Sequence, residues 1–460
     1  MCYRLWIALV CQAVVVIILG WHLEAKGVFQ WALYHDAGIP GLSIRIDGLA
    51  YLFILLTSVM TLLAAFQIRH YFAHQLDLQK RIWWRFWLIL LGLALVWSAG
   101  DLITLYVAME IVALGVVGLI ALGDQAESYR SALRYLKAVL LGTLSFLIGS
   151  IIIWGVYGTV SLSALQQQIE GNGLTGLAFA LITVGLVYRA ALFPLHSWLP
   201  PAHGISYAPL SALLSALVTK ASFYSLARLW LDWGDLIGSQ LLAQLLGVLG
   251  ALAIVWGGWM ACRQSELKML VAYSSVNQVG YFFLLFPLII GVSHEVAVLA
   301  KQGVILQVIS HALAKAALFM AAGNLVAAMG SKYIADLSGM SRSMPLSLLS
   351  FGLAGVSIMG LPPSGGFLAK WYVLQASLLS GQWWWIPVLI LGGLLSAAYI
   401  FRIFSRSFFE ECSVKPIKPV PKILEIAPMV LALLAVGLGL LASTPLSFMT
   451  IAMEVTDGHE

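Results

Sequence analysis

Apolar runs divided by short polar breaks recur from one end of the chain to the other. About twenty apolar residues in helical conformation cross a hydrocarbon layer, and the pattern predicts thirteen spans. They cover 3–20, 48–67, 85–99, 101–122, 131–157, 174–199, 206–231, 238–262, 267–290, 297–327, 346–380, 384–407 and 424–446. The runs at 174–199 and 346–380 contain prolines, Pro194 in the first and Pro362-Pro363 in the second. Proline removes a backbone donor and stops a helix, so each of these two runs reads as a broken span. The second is long enough for two half-helices or two spans.

Composition fixes the class. The chain is 61% hydrophobic and 10% charged, against about 45–50% and about 25% in soluble domains. A soluble enzyme is excluded, because too few charges remain to solvate an exterior. The 42 glycines and 12% aromatic content suit packed membrane helices. The expected fold is therefore an all-α polytopic membrane protein of about 13–14 transmembrane helices. Residues 5–20 lead to no small-residue cleavage site and read as a retained first helix, not a signal peptide.

The net charge of +5 acquires meaning only by position. Alternation from a cytoplasmic N-terminus places 17 of the 25 basic residues inside, from Arg4, Arg69 and Lys80 to Lys268, Arg402 and Lys422. Only Lys26, Arg45 and Arg228 fall outside. Such asymmetry follows the positive-inside rule and needs no nucleic acid as partner. It leaves the C-terminus external, with the acidic tail Glu454, Asp457 and Glu460.

Five cations fall inside apolar spans: Arg189, Lys220, Lys301, Lys315 and Lys370. Glu110 is the acid clearly inside one, whereas Asp101 sits at a helix end. A charge at a helix centre costs about 2.5–3.5 kcal/mol on insertion scales. A set of them in separate helices points to a hydrated path, along which a desolvated amine loads and releases protons. Lys301, near the end of its span, reads as a side chain that reaches the outer interface and is left out of the site.

The motifs sharpen this. Glu110 lies mid-span in Leu105–Val112, where pairing with a cation on a neighbouring helix is economical. Tyr188–Pro201 carries Arg189 and His196 around Pro194. Lys220 lies deep in its span among small residues. His311 and Lys315 are one turn apart on one helix face, the spacing of a relay step. Gly360–Trp371 places Lys370 two turns past Pro362-Pro363. The broken spans lie five spans apart, and an odd offset reverses topology, as in inverted-repeat transporters. This divides the chain into N-terminal helices (1–84), a first half-channel repeat (85–231), a second (238–407) and a C-terminal helix with tail (408–460). The four cysteines are scattered, and HExxH, P-loop and Rossmann patterns are absent. No metal, nucleotide or redox cofactor is expected, and any energy source besides an ion gradient must come from a partner.

On these residues the chain resembles the antiporter-like proton-channel family. Its members are membrane subunits of complex I, of membrane-bound hydrogenases and of Mrp-type sodium/proton antiporters. The resemblance covers roughly 45–410 and rests on five ordered motifs: Leu105–Ile111; Phe193–Pro200 with Ala208–Leu214; Lys268–Ser275; His311–Lys315; and Gly360–Lys370. The D-type Mrp subunit and its hydrogenase relatives are the nearest in flavour. The resemblance implies that Glu110 is the family's glutamate of the fifth helix and Lys220 the lysine of the eighth. His311 and Lys315 would be the relay of the eleventh, and Lys370 the lysine of the broken twelfth. Arg189 stands where the family usually carries a lysine on its broken seventh helix. An arginine holds its proton, so Arg189 is expected to pair with Glu110 and gate the path, not carry the proton. Thirteen spans in place of fourteen implies loss of the family's first helix.

The function implied is proton translocation within a multisubunit Na+/H+ antiporter of a bacterial or archaeal cytoplasmic membrane. Its expected partners are other membrane subunits, protons and Na+, and the lipid bilayer. Alternatives are a proton-pumping subunit of a complex I-like oxidoreductase or hydrogenase, a proton-coupled inorganic-carbon uptake subunit, and a structural scaffold without transport.

Overall fold

The computed structural model describes residues 2–32, 43–123, 125–408 and 420–450. The chain opens with α1 (Cys2–Lys26), a hairpin of β1 (Phe29–Ala32) and β2 (Ser43–Ile46), then α2 (Gly48–Tyr71), α3 (Leu76–Ser98), α4 (Leu102–Ile120) and α5 (Ala126–Tyr157). A short α6 (Leu162–Gln168) precedes α7 (Gly173–Arg189) and α8 (Leu199–Ile205). Next, α9 (Ala208–Leu213), a π turn (Leu214–Val218) and α10 (Thr219–Ile237) form one continuous span. The second half holds α11 (Gln240–Arg263), α12 (Leu267–Phe282), α13 (His294–Met329), short α14 (Met340–Ser343), α15 (Pro345–Met359), α16 (Gly365–Leu379) and α17 (Trp385–Phe408). The described chain closes with α18 (Ile426–Gly437) and α19 (Ser443–Thr450).

Among the described residues, ten helices are long and apolar enough to cross a membrane. The protein is an integral membrane protein. Each of the thirteen predicted spans has its helix, and both proline-broken spans divide into half-helices, α7 with α8 and α15 with α16. The hairpin was not foreseen. Its strands pair antiparallel from Phe29 against Ile46 to Ala32 against Ser43. The residues Lys415, Lys418, Glu454, Asp457 and Glu460, used in the topology argument, lie outside the described residues.

Polar residues start the helices. Asp47, Asp101, Asn172 and Ser364 cap α2, α4, α7 and α16, each accepting a first-turn backbone N–H. Asp101, expected at a wet helix end, is instead buried and also accepts from the Ser43 N–H at 2.9 Å. The helices form a centre and a rim. The apolar windows of α9–α10, α12 and α13 are 100%, 89% and 94% buried, whereas those of α1 and α17 are 22% and 33% buried. The central helices are the ones that carry Lys220, His311 and Lys315. Their charges therefore face protein, not lipid, which is the arrangement that makes intramembrane charge tolerable.

Candidate functional site

Arg189 is the last residue of α7, where the chain leaves the helix through a turn containing the cis Phe193–Pro194 peptide. Unpaired carbonyls give that helix end a partial negative charge, which favours a cation. Its guanidinium crosses to α4: Nη1 lies 3.8 Å from Glu110 Oε1, and Nη2 donates to the Met109 carbonyl at 2.9 Å. The two residues predicted to pair are thus brought together. The His196 ring stacks on Phe193 at 5.5 Å.

Lys220 follows the π turn directly. Its ammonium donates to the Ser215 carbonyl within that turn and lies 5.9 Å from the Phe282 ring centre. A π turn displaces the helical bonding ladder and often marks a functional position. His203, on short α8, is buried with its ring 5.1 Å from Phe319 and its Nδ1 without a hydrogen-bond partner among the described residues. Tyr135, Trp198, His203 and Thr219 line a gap of about 10 Å³. That is near the lower bound of about 10–15 Å³ for a single water.

Lys315 projects from α13 onto α12, donating to the Val271 carbonyl at 3.0 Å and to the Ser274 hydroxyl. His311, one turn earlier, is buried with both ring nitrogens unpartnered among the described residues and its ring 5.4 Å from Phe282. Lys370 reaches back across the second break. Its ammonium donates to the Ile358 and Met359 carbonyls at 2.8 and 3.1 Å, and lies 4.6 Å from the Tyr281 ring centre. Those carbonyls end α15. Gly360 closes that end with φ +82°, and a Cβ there would stand 2.7 Å from the Lys370 stem. No other residue type combines that left-handed backbone with so close a side chain.

One chemical theme joins these cations. Lys220, Lys315 and Lys370 are each held by a backbone carbonyl, not by a carboxylate. Lys268 repeats it on the Gly204 and Ser206 carbonyls at the end of α8. Carbonyl dipoles compensate the ammonium without fixing it as strongly as a full negative charge does.

Polar side chains run between the lysines. From Lys220, the Ser215 hydroxyl meets Ser275 at 3.2 Å, and Ser275 shares the Val271 carbonyl with Lys315. Past Lys315, which donates to Ser274, the Tyr399 hydroxyl donates to Ser396 at 3.1 Å. Ser396 meets Gln278, and the Gln278 amide donates to Ile358, the carbonyl that holds Lys370. Gln307 Nε2 donates to Gln278 at 2.8 Å, and Ser310 bonds Ser357 at 2.6 Å. Sequence reading missed His203, Gln278 and Tyr399, and gave Lys268 no part in the site beyond heading the Lys268–Ser275 motif. His203 follows Pro200-Pro201 by two residues, and Gln278 lies four residues past Ser274; neutral polar residues in an apolar span were the available signal.

Two further readings are corrected. Arg228, counted among the outside cations, is buried in α10 and bonds Asp47. Glu110 is also not alone as an acid within a span, since Asp232 lies inside α10.

Against known proteins, the family described as NADH:quinone oxidoreductase/Mrp antiporter, TM, matches residues 99–396. The chain is 34% identical over 426 residues to the N-type subunit of the NADH-quinone oxidoreductase of Desulforudis audaxviator, covering 88% of this chain and 83% of that protein. It is 29% identical over 329 residues to the D-type subunit of the Na(+)/H(+) antiporter of Bacillus subtilis, covering 70% of this chain and 64% of that protein. Among solved structures, a chain of the membrane-bound sulfane sulfur reductase, an archaeal respiratory membrane complex, superposes with a TM-score of 0.86 at 26% identity, covering 96% of this chain and 90% of that one. A chain of the Mrp complex from Dietzia sp. shares the fold, with a TM-score of 0.85 at 21% identity over 98% of this chain and 91% of that one.

Proposed function

This chain belongs to the NADH:quinone oxidoreductase/Mrp antiporter membrane family, and on that premise we propose that it translocates protons as one membrane subunit of a multisubunit cation/proton antiporter. The observation that carries the reading is the row of buried hydroxyls, amides and backbone carbonyls set between Lys220, Lys315 and Lys370. Protons pass from amine to hydroxyl along it, with carbonyls holding the ammonium ions in place. His311 stands beside the junction with two free ring nitrogens and bridges Lys220 and Lys315 around Phe282. Glu110 and Arg189 act as a fixed pair whose field sets when Lys220 holds its proton.

The half-channels at 85–231 and 238–407 are the two sides of this path. The excess of basic residues supports a cytoplasmic N-terminus and an external C-terminus. Other membrane subunits are its partners, with Na+ as the counter-ion, in a bacterial or archaeal cytoplasmic membrane. A redox-driven pump is the second reading, favoured by the 34% identity to a quinone oxidoreductase subunit.

The test is ΔpH-driven proton flux in vesicles carrying the whole complex. Lys220→Ala and Lys370→Ala, at normal expression, are each expected to lower flux about tenfold or more, the factor given by about 1.4 kcal/mol of added barrier. Full flux in both would sink the relay. Dependence of wild-type flux on added Na+ selects antiport, and dependence on a quinone reductant selects the redox reading.

A further inference from the structure

At the far end of α10 from Lys220 lies a charged cavity that the relay does not use. Its volume is about 140 Å³, and Arg45, Asp47, Gln166, Arg228, Asp232 and Lys301 contribute its polar lining. One water needs about 10–15 Å³, so several fit. We propose that this cavity is a hydrated port through which the proton path opens on the face carrying the β1–β2 hairpin, with Asp232 and Lys301 as the groups that exchange protons with water there.

Position is the first argument. Lys220, Tyr224, Arg228 and Asp232 follow one another at four-residue steps along α10. Each step advances about 6 Å, so Asp232 lies about 18 Å along the helix from Lys220. Polar contacts mark the interval: Arg228 Nη1 donates to the Tyr224 hydroxyl at 3.0 Å, and Tyr224 donates to the Trp97 carbonyl at 2.8 Å. Lys301 lies two turns into α13, ten residues or about 15 Å before His311. The cavity therefore stands toward one end of each of the two helices that carry the central relay.

Chemistry is the second. One side of the cavity is closed. Arg228 grips Asp47 at 2.6 and 3.2 Å, with Arg45 Nε 3.8 Å from the same carboxylate. The other side is open. Asp232 Oδ2 is buried without a hydrogen-bond partner among the described residues. Asp232 and Asp235 act on Lys301 electrostatically without closing an ion pair with it among the described residues. A buried carboxylate oxygen without a protein partner is costly unless water reaches it. Three cations against two carboxylates in the lining disfavour a metal ion and leave water as the occupant.

The proposal rests on the relay reading, and the experiment separates the two. In a full-length chain with Cys2, Cys11, Cys262 and Cys412 replaced, assembled in its complex, Lys301→Cys is exposed to a membrane-impermeant charged thiol reagent from either face. Labelling from one face only is expected. Leu226→Cys, on a fully buried site of α10, stays unlabelled. Asp232→Asn and Lys301→Gln are each expected to lower proton flux about tenfold, equivalent to about 1.4 kcal/mol, with assembly intact. No labelling of Lys301→Cys, or wild-type flux in the Asp232→Asn/Lys301→Gln double variant, overturns the port. If Lys370→Ala loses flux while that double variant keeps it, the port alone fails. If Lys370→Ala itself carries wild-type flux, the failure is that of the relay.

Discussion

Buried charges in this protein are of two kinds, and their partners tell them apart. Lys220, Lys315 and Lys370 rest on carbonyls and hydroxyls, where a proton can leave without stranding an opposite charge. Asp47 and Arg228 are locked to each other through two hydrogen bonds. Burial pushes the Asp47 carboxyl up, but the Arg228 charge and hydrogen bonds, the Ala50 N–H and Arg45 together hold it below the usual carboxylate range. A carboxyl with a lowered folded value adds stability above its unfolded value of about 3.9, and loses it as pH falls through the folded one. The detergent-solubilised protein should therefore keep this contribution at neutral pH and lose it on acidification below about pH 4. Asp47→Asn should lower the melting temperature at neutral pH, since breaking one partner of a buried pair costs about 3–5 kcal/mol. An unchanged Tm at neutral pH would show that the pair is not what holds α2 to α10.

Interrupted elements organise the site. Each broken span frees carbonyls that a continuous helix would consume: Arg189 ends α7 but crosses to the Met109 carbonyl of α4, whereas Lys370 stands on the freed end of α15 and Lys268 on that of α8. The π turn before Lys220 does the same within a span. Close approach of the helices around the breaks depends on small residues. At the α5–α7 crossing, a Cβ on Gly185 would stand 2.4 Å from the Gly142 carbonyl oxygen. Gly185→Ala must push the helices apart, and overpacking of this kind costs about 1–3 kcal/mol. Thermal unfolding of the variant in detergent should show a lowered Tm, together with weaker coupling of Arg189 to Glu110. An unaltered Tm would mean that the crossing is slack.

At the scale of the molecule, the polar cluster between Lys315 and Lys370 depends on α12, α13, α15 and α17 meeting at one place. Tyr399 is the joint, since its hydroxyl donates to Ser396 between the Lys315 and Lys370 ends. Tyr399→Phe keeps the packing and removes the link, so flux should fall several-fold with complex assembly unchanged. Wild-type flux in that variant would route protons elsewhere. The spans, the two breaks and the intramembrane charges were legible from the sequence, because a bilayer imposes length and apolarity on each helix separately. Pairing of Glu110 with Arg189 also followed, since a lone carboxylate in an apolar span needs a cation. What holds each lysine was not legible, because a carbonyl is common to every residue and only the tertiary fold decides which is left free. Nor was the grip of Arg228 on Asp47, 181 residues away in the chain. That contact, the charged cavity beside it and the joint at Tyr399 arise where distant helices meet, and periodicity along a single stretch of sequence carries no record of such meetings.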